Sequence, residues 1–132
     1  MQPVRVLLIG DTMNLMRRLR LRLEAQGYEV TLGCGAPSPT FSLSRVRPDV
    51  LVAELAAGDG RVETWRRGIE SYRLRRPLSV LFLADERAGR RDRILAEEIA
   101  DLGLVEAPHR ARQVIERLDS WYEAETCLLL AG

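Results

Sequence analysis

The segment PDVLVAELAAGDG, residues 48–60, sets a short apolar run, Val50 to Leu55, between a proline and a glycine-rich turn. Only Glu54 interrupts that run, so both faces of a strand built from it would be apolar. A strand covered on both faces belongs in a parallel sheet with helices above and below. Working outward, Val4 to Ile9 and Ser79 to Ala84 have the same character, and Tyr28 to Leu32 and Leu104 to Glu106 are shorter runs of the same kind.

Segments of helical period separate the five runs. The first covers about Asn14 to Gln26, with Leu15, Leu19 and Leu23 on one face and Gly27 as its stop. Ser38 and Pro39 supply a cap and a first-turn residue for the second, which Pro48 ends near Arg47. The others span about Arg61 to Arg75, Arg90 to Leu102 and His109 to Cys127. Val114, Ile115, Leu118, Trp121 and Tyr122 are expected to turn the last helix toward the sheet. Strict strand–helix alternation with right-handed crossovers makes an α/β, doubly wound, five-stranded parallel sheet with five flanking helices. Such sheets carry their sites in the loops after the strands' carboxyl ends. Here those loops are Gly10 to Met13, Gly33 to Ser38, Ala56 to Gly60, Asp85 to Gly89, and Ala107 to Pro108.

At 132 residues the chain fits one domain, 1–124, followed by an apolar tail, 125–132, that could continue the last helix. No apolar stretch reaches the roughly 20 residues that span a bilayer. The amino terminus enters a strand without a basic region or cleavage site, so a cytoplasmic location is expected. Cys34 and Cys127 fit no metal-binding or CxxC spacing and are expected as free thiols. A net charge of +1 gives no whole-chain argument for nucleic acid or acidic lipid. All 20 basic residues are arginine, which matters wherever a lysine is required.

RVLLIGD near the start, PDVLVAELAAGDG in the middle and GLVEAP near the end resemble the punctuation of bacterial response-regulator receiver domains. The resemblance runs from about Arg5 to Tyr122 and implies the flavodoxin-like strand order 2-1-3-4-5. It also implies an acid pair after the first strand, a phospho-accepting aspartate on the third, a hydroxyl after the fourth and a lysine before the last proline. The matching positions here hold Gly10 and Asp11, Glu54, Ala84 and Ala107. A hard cation needs carboxylate oxygens, and a phosphoryl group needs a positive donor. The pattern therefore reads as a degenerate, non-phosphorylatable pseudo-receiver: not an enzyme, with no metal site and no cofactor. Glu54 reads either as a mimic of phosphoaspartate or as a hydrogen-bonded polar residue at a strand end. A residual phospho-acceptor with a weak magnesium site is the alternative.

The resemblance further implies a protein–protein interaction module in two-component signalling or regulation, independent of phosphorylation. Its expected face is the fourth helix, fifth strand and fifth helix, represented by Arg90, Arg93, Glu97, Leu104, Trp121 and Tyr122. The tail residues Cys127 to Leu130 are successive apolar residues that favour association, with a protein partner or as a homodimer through the last helix. The arginines near Trp65 and Tyr72 offer an arginine-rich nucleic-acid surface as a second alternative, which the nearby Glu63, Glu70 and Glu97 oppose. His109 has no visible catalytic partner and reads as a helix-start surface group. The sequence has no GxGxxG, Walker-type loop or GxSxG.

Overall fold

The β-branched and leucine-rich runs form strands because their side chains can be buried on both sides of a pleated surface. The computed structural model describes residues 2–33, 39–55, 61–84, 86–106 and 111–131, with side chains described for all of these except 39–41, 61 and 127–131. The strands are β1 (Arg5–Ile9), β2 (Glu29–Gly33), β3 (Val50–Leu55), β4 (Ser79–Ala84) and β5 (Gly103–Glu106). The helices are α1 (Met13–Ala25), α2 (Pro39–Val46), α3 (Arg61–Arg73), α4 (Arg90–Ile99) and α5 (Ala111–Ala131). All four strand pairings are parallel, in the order β2-β1-β3-β4-β5. The expected α/β class, element order and edge position of β2 are all present.

Period-two alternation sorts the core into two layers. Leu7, Ile9, Leu51, Ala53, Leu55 and Phe82 pack with the helices α2, α3 and α4. Val6, Leu8, Val50, Val52, Leu81 and Leu83 pack with α1 and α5 on the opposite face. Leu15, Leu19 and Leu23 are buried on α1 as their spacing requires, joined by Met16. Gly27 follows at φ +97, a left-handed conformation that glycine adopts without strain.

Helix ends show where local sequence yields to packing. Arg47 stands at φ 54 after α2 and before Pro48, and its N–H donates to the Leu43 carbonyl at 2.8 Å. Pro48 disfavours a right-handed helical conformation at Arg47, and the residue ends α2 in the left-handed region, where glycine is far commoner than arginine. The fourth helix is shorter than expected. Ala100 leaves helical geometry, and the Asp101 carboxylate accepts the Val80 N–H at 2.6 Å and the Arg73 guanidinium at 3.2 Å. That bond ties the turn to the start of β4, so α4 stops at Ile99, three residues early, and β5 begins at Gly103, one residue early.

The fifth helix is longer than expected, running through the apolar tail to Ala131. At 1.5 Å per residue its 21 residues span about 31 Å, against roughly 20 Å for the six residues of β3. It descends antiparallel to the sheet and projects past the strands' amino ends. Among the described residues, no helix is long and apolar enough to cross a membrane.

Candidate functional site

At the carboxyl end of the sheet, register brings the first and third strands together. Ile9 pairs with Ala53, so Gly10 and Glu54 follow side by side. Alternation turns Glu54 toward the face carrying α1, because Val50 and Val52 already point there. Its carboxylate meets the first turn of α1. The Thr12 backbone N–H donates to Oε1 at 2.9 Å, and the Thr12 hydroxyl donates to Oε2 at 2.8 Å. Thr12 is the N-cap residue of α1 but makes no side-chain cap bond; its hydroxyl is turned to Glu54 instead. A carboxylate at a helix amino terminus also gains from the helix dipole.

Gly10 makes this arrangement possible. A Cβ built there would fall 2.7 Å from both Cγ and Cδ of Glu54, and closer still to Oε1. The side chain of Glu54 therefore fills the space that an acidic side chain at position 10 would need. Ala84, at the end of β4, is fully buried and presents only a methyl group. Asp11 is exposed and has an interaction of its own. Ala107, Pro108, His109 and the Gly58–Gly60 turn lie outside the described residues, as do Cys34 and Ser38.

The fold family implies a magnesium ion at this place, and the described residues do not fit one. Gly10 supplies no oxygen, and both oxygens of Glu54 accept hydrogen bonds from Thr12. Among the described residues, no group of three or more His, Cys, Asp or Glu side chains could hold a metal. Magnesium requires near-octahedral oxygen ligation and sheds its waters reluctantly, so Asp11 alone makes a poor anchor.

The residues expected on the interaction face divide into separate places. Arg93 is half-buried, donating through Nε to the Ala88 carbonyl at 3.1 Å and through Nη1 to both carboxylate oxygens of Glu106. It ties α4 to β5 and is not a free surface group. Arg90 and Glu97 are exposed on α4. Leu104 packs partly into the layer beneath α4, and Trp121 into the layer beneath α5. Both line an open groove of about 920 Å³ along β5, with Gln113, Glu116 and Arg117 on its α5 wall.

Tyr122 corrects one expectation. It does not face the sheet with Val114, Leu118 and Trp121, because one residue rotates a helical position by about 100°. Its ring is 39% exposed and meets Tyr28 edge to face, with centroids 6.3 Å apart. The Tyr28 hydroxyl donates to Asp119 Oδ1 at 3.0 Å. Burial first, then that carboxylate, push the Tyr28 phenol well above its ordinary value. The Tyr72 phenol is also raised by burial, and its hydroxyl donates to the Pro48 carbonyl at 2.9 Å. Trp65 lies in the core at 6% exposure, which removes it from any base-stacking surface.

Sequence reasoning missed two residues. Thr12 is a hydroxyl one position past the acid loop and just before a helix, the pattern of an N-cap, and its bond to a distant carboxylate left no local signal. Arg47 could have been noticed as an arginine forced out of helical geometry by a following proline.

Comparison of the sequence with protein-family models finds no match, and comparison with curated proteins finds none either. The fold, by contrast, is shared with many solved structures. A CheY-like response regulator receiver domain protein from Methanospirillum hungatei is 15% identical, with 95% of this chain and 98% of that one covered at a TM-score of 0.70. A response regulator receiver domain protein from Clostridium thermocellum is 20% identical over 95% and 98% of the two chains, at 0.67. A streptococcal protein, described as belonging to a family of redox sensors evolved from two-component response regulators, is 16% identical at 0.76. It is covered over 98% of this chain and 55% of its own length. A five-stranded parallel sheet in the order 2-1-3-4-5 with five helices is thus the fold of this chain, and it is the fold of response-regulator receiver domains.

Proposed function

We propose that this chain is a pseudo-receiver: a regulatory interaction module that does not accept a phosphoryl group at its receiver pocket. The observation that carries this reading is the pair of bonds from Thr12 to the Glu54 carboxylate, made over the bare Cα of Gly10. Of the two readings of Glu54, the hydrogen-bonded strand-end residue fits better than the phosphoaspartate mimic. A mimic acts through a hydroxyl and a lysine, and Ala84 and Ala107 supply neither. The carboxylate instead holds α1 to β3, an arrangement that needs no ion and no modification. Signalling in this reading passes through association with another protein or a second copy of the chain, in the cytoplasm.

Incubating the protein with magnesium and acetyl phosphate, followed by intact-mass measurement, tests the first half of the reading. An unchanged mass is expected. Addition of one phosphoryl group at Asp11 or Glu54 would contradict it and favour a residual phospho-acceptor. Charge reversal at Arg93 combined with Trp121→Ala tests the α4–β5–α5 face. Partner binding and self-association that survive both changes would move the interaction elsewhere.

A further inference from the structure

The end of the sheet opposite the pocket carries a second groove, of about 620 Å³. It forms because α5 runs on past the strands, so that its residues Trp121, Tyr122, Glu125 and Thr126 make one wall. The segments entering β1, β3 and β4 make the floor and the other wall. Pro3, Val4, Pro77, Leu78 and Trp121 give it an apolar lining. Concave, largely apolar spaces of a few hundred Å³ with a few fixed polar groups are where proteins bind ligands.

Its charge is lopsided. Arg5, Arg47 and Arg76 face two carboxylates, Asp49 and Glu125. Asp49 is already engaged, accepting the Arg5 backbone N–H at 2.9 Å. Arg5 is engaged too, through Nη1 to the Val46 carbonyl at 3.4 Å. Among the described residues, Arg47 and Arg76 form no ion pair, although both guanidiniums lie close enough to Tyr72 to favour its ionised form. Three arginines against two carboxylates leave the groove with an excess of positive charge, and an anion placed between Arg47 and Arg76 reduces their mutual repulsion. Arg47 stands in the left-handed region, at φ 54, immediately before Pro48.

We infer that this basal groove binds an acidic, leucine-type peptide segment of a partner protein, with a carboxylate against Arg47 and Arg76 and an aliphatic side chain along Leu78 and Trp121. The inference rests on the reading of the chain as an interaction module and gives that module a site at the amino end of the sheet, adjoining the α4–β5–α5 face and sharing Trp121 with it. Glu125 on the far wall orients the segment, since a second acidic residue there would be repelled.

The test is an amide NMR titration with an acetylated, amidated peptide of alternating glutamate and leucine, beside a lysine–leucine counterpart and a single-stranded oligothymidylate. Shifts are expected in residues 3–5, 47–49, 76–79 and 121–126, with the acidic peptide alone. Its affinity should fall with added salt and weaken at least about tenfold in the double variant Arg47→Gln, Arg76→Gln. Were that variant unfolded by circular dichroism, the salt dependence and the lysine–leucine comparison on the unaltered protein would still decide. Equal binding of both peptides, shifts centred on residues 93–106, tighter binding of the oligonucleotide, or no shift at millimolar peptide would each overturn the proposal. A separate titration of the same protein with magnesium and beryllofluoride reports on the pseudo-receiver reading independently of the groove, and shifts of the Gly10 to Thr12 amides would overturn that reading.

Discussion

The two ends of the sheet treat charge in opposite ways. At the carboxyl end, where the receiver fold places its chemistry, the Glu54 carboxylate is satisfied by two donors from Thr12 and sits where glycine has cleared a space. At the amino end, Arg47 and Arg76 stand beside an apolar groove without an ion pair among the described residues. A carboxylate held by charge-assisted bonds within its own chain is poorly disposed to recruit an ion or a phosphoryl group. Cations beside apolar surface are disposed to recruit an anion.

The strongest way to break this contrast is to return an acid to position 10. Gly10→Asp forces Glu54 off Thr12 and adds a third carboxylate beside it and Asp11. A loss of about 1–3 kcal/mol in urea denaturation is expected from crowding and unpaired donors. In the Glu54→Asp background the loss should be smaller, since the shorter side chain leaves room. Additive losses would mean that the two positions do not interact.

Tyr28→Phe probes the base, where Tyr28 and Asp119 anchor α5, and should cost about 1.5 kcal/mol. Because folding raises the Tyr28 phenol, its contribution is complete below the unfolded value near pH 10 and is lost as pH rises toward the folded one. Alkaline denaturation curves should therefore flatten in the variant; an unaltered alkaline limb would mean the phenol is not coupled to folding. Thr12→Val, which deletes the hydroxyl donor to Glu54 and keeps the backbone donor, should cost about 0.5–1 kcal/mol in the same urea experiment. The smallest effect is a gain. Arg47→Gly relieves a left-handed residue and should stabilise the fold by about 0.5–1 kcal/mol while weakening the basal groove.

The fold was legible because burial on both faces writes itself into sequence as continuous apolar runs, and Val50–Leu55 is enough to see it. Helix ends were less legible where a tertiary bond decided them. Asp101 ends α4 by reaching Val80, 21 positions back in the chain, and no local pattern reports that. In the pocket, Gly10, Glu54 and Ala84 could be named from the resemblance as departures, but not their relation to one another. That Gly10 makes room for Glu54 depends on the β1–β3 register, and that Thr12 holds it depends on the start of α1. The basal groove was not legible at all, because its walls come from four separate stretches and its charge matters only through what fails to pair with it.

The central claim, a receiver pocket closed by its own carboxylate, is tested most directly by a backbone amide NMR titration with magnesium and beryllofluoride, a phosphoryl mimic. The account predicts unmoved amides at Gly10, Asp11, Thr12, Glu54 and Ala84 at millimolar ligand. Saturable shifts concentrated on those residues would show a working acidic pocket and contradict it.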